Sequence, residues 1–155
     1  MTIKGMEVST ETVLEIGKFA TLWNWFENAK CKNHCTVGKV SSVAEGLRLD
    51  RGLLVNFSNV LGHRVELLAG GNATKYVIER LDSTDPRKRL SSRDVSAIEG
   101  FIDMSGGEQD ITRGALLAIY RIRNNMFHGM KGVWDLDNQI EIFRAANAIL
   151  EEVPS

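Results

Sequence analysis

Proline is nearly missing from this chain: Pro86 and Pro154 are the only two among 155 residues. Long stretches are therefore free of the one residue that deletes a helical hydrogen bond and clashes with the preceding turn. Cysteine is as sparse, with Cys31 and Cys35 alone, which is too few for a disulfide scaffold. Net charge is almost absent, since 19 Lys and Arg against 20 Asp and Glu leave −1 at pH 7. That excludes coating nucleic acid by bulk electrostatics and leaves any such contact to a local patch. No apolar run approaches the roughly 20 residues of a membrane-spanning helix. The opening Met1-Thr2-Ile3-Lys4-Gly5-Met6 lacks the apolar centre of a secretory signal. A cytoplasmic protein without membrane contact is the expectation.

What is present suits one ordinary globular domain. Hydrophobic residues make up 43% and charged residues 25%, enough for a single core over residues 1–155. Residues 1–9 read as a flexible N-terminal segment. Alternating strand patterns and internal repeats are missing, and the fold class is all-α, a bundle of five or six helices. A first helix runs from about Glu11 to Lys30 behind a Ser9-Thr10 cap, with Val13, Ile16, Ala20, Trp23 and Phe26 on its apolar face. Trp25 points elsewhere and is a candidate for a subunit interface.

A second helical region starts near Val37, with Asp50-Arg51-Gly52 as a candidate interruption. Gly62 is a candidate end, and Gly70-Gly71 is a clearer break. A short helix from Ala73 to Leu81 and a long polar loop over residues 82–93 follow. Ser91 with Asp94 resembles a helix start, for a helix to about Met104. Ser105-Gly106-Gly107-Glu108 then separates it from an amphipathic helix over Ile111 to Phe127. Ile111, Ala115, Ile119, Ile122 and Met126 form that helix's buried stripe. Asp135 caps a last helix in which Leu136, Ile140, Phe143, Asn147 and Leu150 share a face.

The chemistry concentrates at Arg123-Asn124-Asn125-Met126-Phe127-His128-Gly129. Here a permanent cation, a small amide and a titratable imidazole meet at the end of a core helix. On an ideal helix Arg123 and His128 would be rotated apart by about 140°, so either the helix stops before His128, as Gly129 suggests, or the two serve different partners. Metal-free RNA cleavage needs a proton taken from a ribose 2′-OH, a proton given to the leaving 5′ oxygen, and stabilised charge on the phosphoryl oxygens. An imidazole titrating near neutrality suits the proton transfers. A guanidinium matched to phosphate suits the charge. Tyr120, one turn earlier, stands to stack a base or fill an interface. The plainer alternative is that Asn125 or His128 beside Gly129 merely caps the helix.

Arg123-Asn124, three residues and His128, within Ile122-Arg123-Asn124-Asn125-Met126-Phe127-His128-Gly129 and followed by Lys131, resembles the signature of the HEPN superfamily, the higher eukaryotes and prokaryotes nucleotide-binding domain. The specific match covers about ten residues, and the helical layout covers most of the chain. The resemblance implies a helical bundle that forms a homodimer with both motifs at one cleft. It also implies a metal-independent endoribonuclease without cofactor, set in a toxin–antitoxin or phage-defence system. Arg123 would stabilise the phosphoryl transition state, His128 would transfer protons and Asn124 would assist. Some members of the superfamily keep the helices only to bind nucleotides or to dimerise, and that alternative stays open.

Secondary candidates surround the motif. Arg121 and Lys131, with Arg113, add positive charge near it. Arg87, Lys88 and Arg89, with Arg93, form the densest basic run, which either tracks an RNA backbone, holds an acidic partner such as an antitoxin protein, or is a solvated loop. Asp82, Asp85 and Asp94 partly cancel it. Cys31, His34 and Cys35 fall within one helical turn, but a zinc site ordinarily takes four ligands. Two unpaired thiols at a helix end are expected rather than a metal site. His63 reads as a cap or surface residue, and Trp134 as a staple over a helix end.

Overall fold

A computed structural model of the chain describes residues 1–69, 72–82, 85–86, 89–127 and 139–155. Among these residues the fold is all-α but for one small hairpin. Seven helices are present, rather than the five or six expected: α1 (Thr10–Lys30), α2 (Val37–Ala44), α3 (Arg51–Ala69), α4 (Ala73–Leu81), α5 (Ser92–Ile102), α6 (Glu108–Phe127) and α7 (Ile140–Glu152). The N-terminal segment, expected to be flexible, carries an antiparallel hairpin of β1 (Thr2–Ile3) and β2 (Met6–Glu7). Gly5, at φ +80°, turns it, in a region of backbone space open to glycine.

Local signals set most boundaries. The Ser9 hydroxyl accepts the Thr12 N–H at 3.1 Å and starts α1. Thr36 does the same for α2 through Lys39 N–H, and Asn72 for α4 through Lys75 N–H. Ser91 and Asp94 form a reciprocal capping box at α5. The extra helix arises because residues 45–50 break the second region, and the Asp50 carboxylate accepts Leu53 N–H at 3.1 Å to open α3. Gly62 does not stop α3, which continues to Ala69. Gln139 stands at the N-cap of α7, and its side chain caps nothing. Asp135, Leu136, Trp134 and Gly70-Gly71 lie outside the described residues.

The core is built around α6. Of its expected stripe, Ile111, Ala115, Ile119 and Ile122 are buried and the Met126 side chain lies outside the described ones; Leu116, Leu117 and Ala118 on its other faces are buried too. Thr112, Arg113 and Arg121 are buried with them, so the middle of α6 is enclosed by the bundle. α5 and α2 flank it, while α7 packs on α1 and α3. Gly114 permits the α5–α6 approach, because a Cβ there would collide with the Ala97 carbonyl oxygen and the Phe101 side chain. α1 docks on α7 through the edge-on Phe19–Phe143 pair, with centroids 5.5 Å apart. The Asn147 amide donates to the Glu15 carbonyl and carboxylate at 3.0 and 2.8 Å.

Candidate functional site

Arg123 emerges half-buried near the end of α6, where the helix leaves the core. Its Nη1 donates to the side-chain oxygen of Asn124 at 3.0 Å. The neighbouring amide is therefore one of the groups that hold the guanidinium. Arg123 lines a cleft of about 230 Å³ with Phe19, Ala20, Trp23, Asn24 and Glu27, all from the C-terminal two-thirds of α1. One wall thus comes from the motif and the other from a helix far away in sequence.

The α1 wall is braced from behind. Trp23 stacks on both Phe26 and Tyr120, at centroid distances of 5.2 and 5.8 Å. Tyr120 is spent on this contact, and its hydroxyl donates to the Cys35 carbonyl at 3.1 Å. It supports the cleft from behind and is not among the cleft's lining residues. Cys31 and Cys35 form a disulfide, with Cα atoms 5.0 Å apart. This corrects the expectation of two unpaired thiols and commits both sulfurs to each other. Among the described residues no group of three His, Cys, Asp or Glu side chains converges as a metal site would require.

The disulfide loop folds back on the end of α1. Cys35 N–H donates to Glu27 Oε2 at 3.3 Å, and Lys39 Nζ donates to the carbonyls of Cys31 and His34 at 3.2 and 2.9 Å. A cation at a helix C-terminus satisfies carbonyls left over by the helix and complements its dipole. Glu27 is thereby held at the cleft wall by a backbone donor.

The other expected residues scatter. Arg121 is only 4% exposed, with its guanidinium 3.5 Å from the centroid of the Tyr76 ring. Buried as a cation–π partner, it has no surface to offer a polyanion. Arg113 is likewise buried, with Nη2 3.1 Å from Glu45 Oε1 and Nη1 3.8 Å from Asp94 Oδ1. Ser41 and Ser91 hydroxyls donate to the same Asp94 carboxylate, so this polar cluster ties α2, α5 and α6 together. Arg93 lies 3.7 Å from Glu45. Arg89 is exposed but does not line the cleft. His128, Lys131, Arg87 and Lys88 lie outside the described residues. Trp25, expected on a free face, is half-buried against the core.

Asn24 and Glu27 escaped the sequence reading. With Ala20, expected on the apolar face but exposed here, they recur at steps of four and three along α1. That spacing is visible in the sequence, but the position of these residues opposite Arg123 is a tertiary fact. Among the described residues no helix is long and apolar enough to cross a membrane. No protein-family model, curated protein or solved structure matches this chain.

Proposed function

We propose that the protein is a metal-independent endoribonuclease of HEPN type, acting as a homodimer on RNA at a cleft built on Arg123, Asn124 and His128. The observation that carries this reading is the placement of Arg123. A core helix delivers its guanidinium, bonded to Asn124, to the wall of a cleft instead of to open solvent. In the proposed reaction the ribose 2′-OH attacks the adjacent phosphorus in line. His128 takes part in the proton transfers, and Arg123 neutralises the charge that builds on the phosphoryl oxygens. The products are a 2′,3′-cyclic phosphate and a free 5′-hydroxyl. Arginine and histidine supply both the charge and the proton transfer, so the chemistry calls for no cofactor. A toxin–antitoxin or phage-defence role in the cytoplasm, with a neutralising antitoxin protein as partner, belongs to the same proposal.

The test is cleavage of RNA by the purified chain in EDTA, set beside Arg123→Ala and His128→Ala at matched folding. Cleavage by the parent, reduced at least about 100-fold in each variant, is expected, in line with the loss of a proton-transfer or charge-stabilising group. Activity that both variants keep would refute the site. A non-catalytic nucleotide-binding module is the second reading, favoured by the size of the cleft. At about 230 Å³ it holds a single nucleotide more readily than a strand. A folded parent that binds nucleotides without cutting RNA would establish it.

A further inference from the structure

We infer that the α1 wall of the cleft is a base-reading subsite selective for guanine, with Glu27 and Asn24 as its specificity residues. This rests on the reading that the cleft takes a ribonucleotide. Glu27 brings an acceptor carboxylate into the cleft that Arg123 lines. It is also held in place: Oε2 accepts Cys35 N–H at 3.3 Å, and Cys35 is fixed by its disulfide and by the Tyr120 hydroxyl. Oε1 accepts no hydrogen bond among the described residues, and the Asn24 side chain, exposed one turn earlier, makes none there either. The cleft thus pairs a positioned acceptor with an adjustable amide, and Arg123 stands on the opposite element.

Those groups match one base edge. Guanine presents two adjacent donors, N1–H and N2–H, beside the O6 acceptor. An ionised carboxylate accepts both donors, since its two oxygens offer about four lone-pair sites. The Asn24 amide donates to O6. Adenine and cytosine each offer one amino group beside a ring nitrogen whose lone pair would face the carboxylate. Uracil offers one N–H between two carbonyls. Single-stranded bases are read on this edge, and a pocket below the roughly 300–1,000 Å³ of drug-sized ligand sites suits one base with its phosphate at the mouth.

Titration of the purified full chain with GMP, AMP, CMP and UMP, by calorimetry, tests this apart from cleavage. GMP is expected to bind at least about tenfold more tightly than the others, the effect of a bidentate base contact. Glu27→Gln should erase that preference, and Asn24→Ala should weaken GMP alone. Arg123→Ala should weaken all four alike. The Glu27→Gln side chain would keep an amide oxygen for Cys35 N–H, so an unchanged melting temperature is the control for folding. Equal affinity for the four nucleotides, a preference that survives Glu27→Gln, or no binding at all would overturn the inference. RNA cleavage in EDTA decides separately whether the ribonuclease reading stands: cutting without base preference leaves that reading intact and removes only this one.

Discussion

Tyr120 holds two structures at once, stacking on Trp23 of α1 and donating its hydroxyl to the Cys35 carbonyl of the disulfide loop. Tyr120→Phe keeps the stack and removes one hydrogen bond, for an expected loss of about 1 kcal/mol in denaturant unfolding. Nucleotide affinity should hold, because the ring supports the wall from behind. A fall in affinity at unchanged stability would return Tyr120 to direct contact with a base. At the turn between α5 and α6, Asp103 is expected to carry a pH effect. The Ser105 hydroxyl, donating at 2.5 Å, and the Ser105 backbone N–H hold the Asp103 carboxyl below its ordinary value of 3.8. A lowered folded-state pKa adds stability that is present above the ordinary value and is lost as the pH falls through the folded one. Ser105→Ala should move the Asp103 titration, followed by NMR, upward toward 3.8 while leaving the backbone bond. No movement would mean that the hydroxyl does not engage the carboxylate in solution.

At the scale of the element, glycine divides into two kinds. Gly114 sits where α5 and α6 touch, and a methyl group there would strike the Ala97 carbonyl. Gly62 lies within α3, and a methyl group added to it would meet nothing within 4 Å. Gly114→Ala is therefore expected to destabilise by about 1–3 kcal/mol. Gly62→Ala should stabilise by about 0.4–1 kcal/mol by restricting the unfolded chain. Equal effects at the two sites would contradict the α5–α6 packing. The same pair explains what the sequence could and could not convey. The caps expected at Ser9 and Ser91 are local chemistry, a side chain bonding a backbone group three residues on, and can be read directly. Those at Thr36 and Asn72 are of the same kind but come from the structure. Gly62 reads as a stop because a mid-helix glycine costs about 1 kcal/mol relative to alanine. Burial of Phe57 and Leu61 on that helix is the tertiary term that outweighs it. The hairpin at residues 2–7 has two residues per strand, too short for any alternation to show.

For the whole molecule, the site was half legible. Arg123 and Asn124 stand out in the sequence, but Asn24 and Glu27 join them only because α1 lies across the end of α6. The bundle also decides which cations stay inside: Arg113 and Arg121 share α6 with Arg123, yet both are buried in packed surroundings. The disulfide is the remaining departure, and it bears on the setting of the protein. Disulfides persist in oxidising compartments and are rare in the cytosol, so the bond and a cytoplasmic location pull in opposite directions. Its structural weight can be estimated, because a sequence separation of 4 closes a very short loop and contributes about 2 kcal/mol in the chain-entropy account. Cys31→Ser with Cys35→Ser should then lower the melting temperature by about 4–8 °C for a chain of this size. Reduction of the parent should lower it equally, since both remove the same cross-link. Alkylation of the native, unreduced protein followed by mass spectrometry supplies the check: unmodified cysteines are expected before reduction and two labelled ones after it. Full labelling without reductant would show two thiols in solution, and the brace behind Glu27 would then rest on the Tyr120 hydroxyl and Lys39 alone.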